Sequence, residues 1–226
     1  MKQSLTESSL ELGKCLLLEK YFIEQVSYAE AMEIVVEKHY LHRKAPCSIA
    51  FGLFHVEDPL TCLGVVVYGT PASSSLRKGL CGEDHVENVY ELTRLWVDDS
   101  VPKNGESFLI GNTLRKLDKE IIVSFADTEQ NHLGIVYQAT NWLYTGLSAK
   151  RTDWTVEGID KHGHTWADKY SAVEMRELFG DSFSLKQRSR KHRYIFINAN
   201  KGRKKHLLKL LRYKVEPYPK AAVVAG

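Results

Sequence analysis

Four largely apolar runs of strand length lie between residues 48 and 127: SIAFGLFHV, CLGVVVYGTP, VYELTRLWV and EIIVSFAD. They are rich in β-branched and aromatic residues, and none approaches the roughly 18 residues a membrane helix needs. Runs of this kind bury themselves side by side, so the chain must build a sheet. EDPLT, between the first two, marks a hairpin. Helical patterns punctuate the rest. In SYAEAMEIVVEKHYLHR, Ser27 is placed to cap, with Glu30 three residues on, and Met32, Val35, Val36 and His39 recur at helical spacing. A second helix is predicted from about Ser107 to Leu117, a third over IVYQATNWLY with Gly146 as its C-cap, and a short basic one at KKHLLKLL. KYFIEQV and RYIFINAN read as further strands, and Ala72 to Glu87 as a polar loop.

The order strand, helix, three strands, helix, strand, helix, then more strands fits one α+β (mixed α/β) domain without repeats. Residues 1–26 read as an N-terminal extension with a short strand, 27–215 as the domain and 216–226 as a tail. Within the domain, residues 160–181 form a partly helical insertion. No signal-peptide pattern opens the chain, and Cys15, Cys47, Cys62 and Cys81 are scattered without C-x-x-C spacing. That usage suits reduced thiols in a cytoplasm, and nothing marks a membrane anchor.

The formal charge of +3 hides an asymmetry. Lys186 to Lys214 holds twelve Lys and Arg and no Asp or Glu, leaving 19 basic against 28 acidic residues elsewhere. An acidic body with a basic segment points to a docked polyanion, with a solvated lysine-rich face as the alternative. Arg188, Arg190, Lys191, Arg193, Arg203 and Lys204, joined by Arg43 and Lys44, are the candidate phosphate contacts.

The chemistry-bearing residues gather in SFADTEQNHLGIVYQATNW and EKHYLHRK. A strand ending at Asp127 places a carboxylate at the C-terminal edge of a sheet, where such folds bind ligands. Tyr137 follows in a helix, with Asn141 and Tyr144 on the same stripe. Spacing alone leaves open whether Asp127 caps a turn and Tyr137 packs in the core, or both face a cleft. His39 and Tyr40 offer a second pair. His162 and His164 in HGH have metal-ligand types, but H-x-H is common in polar loops. LTRLWVDDSVPKNGESFLIGNTLRKL offers Arg94, Gly105, Ser107, Gly111 and Asn112 around a helix start, a place where backbone N–H groups bind phosphates.

Taken together, KHYLHRKAP, VYELTRLWV, NGESFLIGNTLR, SFADTEQNHLGIVYQATNWLYTG and RYIFI resemble the Mom family of phage DNA-modification proteins. The order of elements resembles the Gcn5-related N-acetyltransferase fold, in which a central strand splays from its neighbour. The resemblance implies modification of adenine N6 in double-stranded DNA to a carbamoylmethyl-type group, with the target base flipped out, protecting phage DNA from restriction in a bacterial host cytoplasm. It treats Asp127 and Tyr137 as functional positions. The chemistry of an adenine amine then makes Asp127 the candidate base or orienting carboxylate and Tyr137 the candidate acid or hydrogen-bond donor, with Tyr40 and His39 in the cleft as further catalytic candidates. Acetyl-coenzyme A is the candidate cofactor of the fold, although the loop departs from the usual Arg/Gln-x-x-Gly-x-Gly/Ala pattern and Glu106 stands beside it. Iron is a second candidate, held by the His/Tyr/carboxylate set. An alkylated amine bearing an amide is not a product of simple acetyl transfer. The rival is an acetyl-coenzyme A-dependent N-acetyltransferase acting on a protein or small-molecule amine.

Overall fold

All four runs enter one seven-stranded sheet. In the computed structural model, which describes residues 18–159, 166 and 169–220, they form β2 (Ile49–His55), β3 (Asp58–Gly69), β4 (Val89–Val97) and β5 (Ile121–Asp127). β1 (Tyr21–Val26) pairs outside β2, while β9 (Lys191–Ile197) and β6 (Leu143–Leu147) complete the other side. The order is β1-β2-β3-β4-β5-β9-β6, and every pair is antiparallel except β4 with β5. That parallel pair holds over only three registers, Val89 with Ile121 through Glu91 with Val123. Beyond them β4 and β5 diverge, which is the splay the fold resemblance implies. On its other side β4 shifts register against β3 between Val67 and Tyr68, so Thr93 is an extra residue that turns the strand.

Three helices cover one face. α1 (Tyr28–Lys38) starts in the predicted capping box, Ser27 with Glu30, and buries Ala31, Met32 and Val35 against Val65, Val67 and Ala50. α2 (Ser74–Cys81), capped by Ser73, and α6 (Lys201–Leu210) bury Leu80, Cys81 and Leu207 against β5 and β9. The opposite face receives α3 (Gly105–Leu114) and α4 (Ile135–Ala139), whose Leu109, Ile110 and Tyr137 join the largest core.

Several boundaries differ from the sequence expectation. The polar stretch 72–87 contains α2, because Leu76, Leu80 and Cys81 give it one apolar side. The hairpin turn is Val56–Glu57, and Pro59 and Leu60 belong to β3, within the register shift between the Phe54–Cys62 and His55–Asp58 pairs. The helix expected over IVYQATNWLY stops at Ala139. Asn141 adopts φ 60, and fully buried Trp142 leads into β6, the strand that covers the outer edge of β9. Tyr144 is therefore on a strand, not on a helical stripe with Tyr137, and Gly146 (φ 82) sits in an irregularity of β6 rather than at a helix end.

Between β6 and β9 a small lobe closes on its own core: β7 (Thr152–Val156) pairs with β8 (Phe183–Gln187), and α5 (Ala172–Phe179) adds Met175 to Trp154, Val156, Trp166 and Phe183. His162 and His164 lie outside the described residues, as do Cys15 and most of the N-terminal extension. Cys47, Cys62 and Cys81 are free thiols. Among the described residues no helix is long and apolar enough to cross a membrane.

Candidate active site

Where a parallel ladder ends, its backbone groups need other partners. Ser124 supplies one: its Oγ lies 3.1 Å from the carbonyl oxygen of Leu92, spanning β5 to β4 just past the last paired register, and 2.8 Å from the hydroxyl of Tyr137. Ser124 and Tyr137 thus form the floor of the splay. Tyr137 is only 7% exposed, its ring wedged between Trp142 and Tyr194 at 5.1 Å each. Burial pushes its hydroxyl up to about 12. α4 reaches this place because Gly134, at φ 71, lets the chain turn tightly against both tyrosines.

The mouth of the splay lies on the face covered by α1. Glu91 stands at the last paired register, opposite Val123. Its carboxylate makes no hydrogen bond or ion pair among the described residues, and burial raises its pKa, with Lys191 and Arg94 pulling the other way. Asp127 ends β5. Burial acts upward on it, but bonds from Ser189, the Glu129 N–H at 3.0 Å and Lys191 Nζ at 3.1 Å hold its carboxyl below the usual aspartate range. Lys191 therefore stands between two carboxylates of opposite character: one paired and ionised, one unpaired and easier to protonate.

Above them α1 ends at His39, whose extended backbone releases the chain toward the sheet. His39 is 6% exposed, takes the Leu41 N–H on Nδ1 at 3.2 Å, and has its pKa lowered to about 4, first by burial and then by Arg94, His42 and His132. Its ring stacks on Tyr40 at 4.4 Å, while Tyr40 is 46% exposed and meets His132 edge-on at 5.9 Å. Burial raises the Tyr40 hydroxyl, with Asp127 acting in the same sense against Arg94 and Arg43. Arg94 donates to Thr93 O at 2.6 Å and reaches the carbonyls of Arg43 and Lys44 at 3.4 Å each, while its Nε is buried without a partner. It clamps the basic loop after α1 to the mouth.

His39, Tyr40 and Asp127 are thus brought together with Arg94, and Tyr137 lies beneath them. Glu91 and Ser124 belong to the same place and were not picked out from the sequence; His132, which the sequence clusters with Asp127 and Tyr137 but which reads there as a loop residue, joins them. A signal for Glu91 existed: it shares a strand face with buried Val89, where an apolar residue is expected. Ser124 gave none, being an ordinary strand serine.

The phosphate-loop residues separate. Gly105 and Ser107 lie in the first turn of α3, which has no side-chain cap, although the Gly105 N–H already donates to Pro102 O at 3.1 Å. Gly105 has no room for a side chain beside Val101, and Ser107 Oγ donates to Asn104 O at 3.0 Å. Gly111 and Asn112 sit two turns on: Gly111 faces Thr140, and Asn112 donates to Phe108 O. Arg94 serves the other face of the sheet, and Glu106 puts a carboxylate in the first turn. Arg94, Gly105, Ser107, Gly111 and Asn112 therefore do not converge on one place in the fold. Iron fares no better: among the described residues no three His, Cys, Asp or Glu converge as a metal group. Asp127 is engaged by Lys191, His39 Nδ1 by a backbone N–H and Tyr137 by Ser124.

Most of the candidate phosphate contacts are occupied inside the fold. Arg188 pairs with Asp153 at 2.7 Å, and Arg190 donates to Ser148 O and Leu147 O at 2.7 and 3.3 Å. Arg193 donates to Thr145 Oγ1 and O and lies 3.5 Å over the Tyr213 ring. Arg203 grips Glu120 through Nε and Nη2 at 2.9–3.1 Å, and Lys204 sits over Phe196. Arg43 and Lys44 are exposed beside Tyr40.

Comparison with known proteins places this geometry. The model of the Mom protein family matches residues 20–220, which takes in the splay, its mouth and the whole sheet. The chain belongs to the Mom protein family. It is 28% identical over 207 residues to the methylcarbamoylase mom of Escherichia phage Mu, covering 88% of this chain and 83% of that one. Solved structures that align with it are acetyltransferases. One is yncA of Salmonella typhimurium with its cofactor acetyl-CoA, 10% identical with a TM-score of 0.45 over 80% of this chain and 95% of that one. Another is NAA60 of Arabidopsis thaliana in complex with acetyl-CoA, 7% identical with a TM-score of 0.45 over 78% and 99%.

Proposed function

We propose that this protein is a DNA-modifying transferase that attaches a carbamoylmethyl-type group to adenine N6 in phage DNA, shielding it from restriction. Membership of the Mom family across residues 20–220, together with the named activity of the phage Mu relative, carries this reading. The splay supports it chemically. An exocyclic adenine amine is a weak nucleophile and must lose a proton as it forms its new bond. Glu91, unpaired and raised by burial, is the group here best suited to accept that proton. Asp127, held ionised by Lys191, is better suited to orient the amine through a hydrogen bond than to take a proton from it.

Tyr40 offers an aromatic face at the mouth, stacked from behind by His39, on which a flipped base can rest. The neutral His39 imidazole adds no charge to repel or attract at that face. Arg43 and Lys44 stand where the flanking phosphates would pass. Tyr137, buried under Ser124, supports the floor.

The test is mass spectrometry of nucleosides from DNA of cells expressing the protein. Wild type yields a deoxyadenosine heavier by a carbamoylmethyl group. Glu91→Gln lowers the modified fraction by about 10²-fold or more, as loss of a proton acceptor does, and Asp127→Asn lowers it as well. Unmodified deoxyadenosine despite abundant folded protein sinks the proposal. A mass gain of an acetyl group instead overturns the carbamoylmethyl assignment while keeping DNA as the substrate.

A further inference from the structure

Beside the splay, on the outer edge of the sheet, residues 211–220 run back over β6 and enclose a groove of about 470 Å³. The segment is fixed at three points: Arg212 N–H to Leu80 O at 2.9 Å, Glu216 N–H to Tyr144 O at 2.9 Å, and the Tyr218 hydroxyl to Trp142 O at 2.7 Å. Arg190, Arg193, Arg212, Lys214, Tyr213 and Glu216 line the groove, four cations against one anion. The cations are of two kinds. Arg190 and Arg193 are locked by backbone carbonyls and by Thr145 and Tyr213, which fixes their positions without neutralising their charge. Arg212 and Lys214 are exposed and make no ion pair among the described residues.

The one anion is also unpaired. Glu216 makes no ion pair or side-chain hydrogen bond among the described residues, yet its carboxylate lies over the backbone of Gly146, where an added Cβ would meet it at 3.2–3.4 Å. It raises the pKa of Arg193 through space, against the larger downward effect of burial. A loosely held carboxylate thus occupies a basic groove built from fixed arginines. Arg193, which lines the groove, and Lys191, which pairs with Asp127 at the splay, share a face of β9 two residues apart, about 7 Å.

We propose that this groove is a phosphodiester site: it holds the DNA strand flanking the target base, and Glu216 is an internal stand-in that a backbone phosphate displaces. The proposal rests on the reading of DNA as the substrate. It adds Arg212, Lys214 and Glu216, none of which faces the splay. Charge complementarity favours a polyanion, and the fixed, planar guanidinium groups suit phosphate oxygens.

The test uses the full chain and a fluorescein-labelled duplex, with anisotropy titrations between about 50 and 200 mM KCl. Arg212→Glu with Lys214→Glu weakens binding by about ten-fold or more and makes the slope of log affinity against log salt shallower by about two. Glu216→Gln binds more tightly than wild type. Equal melting midpoints for variants and wild type confirm that the fold is intact. If the double variant keeps wild-type affinity and slope, or if Glu216→Gln does not tighten binding, the groove is not a phosphate site. Failure of wild type to bind the duplex also overturns it. The functional reading is judged separately by the modified nucleoside. A groove that fails while the nucleoside appears leaves that reading standing, and duplex binding without the nucleoside does the reverse.

Discussion

His39 recurs at helical spacing with the apolar residues of α1, and it is buried at the end of that helix with its ring stacked on Tyr40. Burial near Arg94 lowers its pKa from 6.5 to about 4, so the folded protein resists protonating it while the unfolded chain does not. Stability then falls as pH drops from about 6.5 toward 4, because the unfolded state binds the extra proton in that window. The full difference is worth up to about 3 kcal/mol. His39→Gln removes this contribution, so between pH 7 and pH 4 its melting midpoint, followed by circular dichroism, falls less than that of wild type. Parallel declines would mean that His39 is protonated in the fold. Glu91 carries the complementary lesson. An acid inside a buried strand face is a legible anomaly, but only the end of the β4–β5 ladder explains why it is tolerated and where it points.

At the scale of elements, the departure of β4 from β5 creates the site and Ser124 limits it. Ser124→Ala orphans both the Leu92 carbonyl and the buried Tyr137 hydroxyl, at a cost of roughly 1–3 kcal/mol. Tyr137→Phe leaves Ser124 its bond to Leu92 and costs less. Urea denaturation of the two variants should therefore rank Ser124→Ala as the less stable. Tyr137→Phe should also retain most of the modified nucleoside. Its loss in a stable Tyr137→Phe protein would return the tyrosine to the catalytic set. The strands were readable because their β-branched runs are continuous and bounded by turn residues. α2 and the short α4 were not, because each depends on contacts remote in sequence. α2 is a helix because Leu76 and Leu80 find β5 and β9. α4 ends early because Trp142 is drawn into the core and Leu143–Leu147 pairs with β9.

Across the whole molecule, the basic segment divides into cations that hold the fold and cations that face outward. Arg203 belongs to the first kind, tying α6 to the start of β5 through Glu120. The pair is partly exposed and screened by solvent, so its contribution is small. Arg203→Ala should lower the melting midpoint by roughly 2–4 °C and leave the salt dependence of duplex binding unchanged. A shallower slope would make Arg203 a phosphate contact after all. Charge counting found the asymmetry between an acidic body and a basic segment, but it could not sort the segment residue by residue. A guanidinium bonded to a carbonyl and one open to solvent look alike in a sequence.

By itself the sequence determined the sheet, most of its strands, the capping box of α1, and the position of Asp127 at a strand end. These follow from local patterns of apolar residues, turn residues and caps, which act over a few positions. Tertiary structure decided the rest. It set Glu91 unpaired and Asp127 paired around one lysine, buried Tyr137 under Ser124, and turned Arg94 away from the phosphate loop. It also folded residues 211–220 over the edge of β6 to make a basic groove. Those outcomes depend on which strands meet and how long they stay paired. Burial and charge at a site come from neighbours distant in the chain, and no local pattern records them.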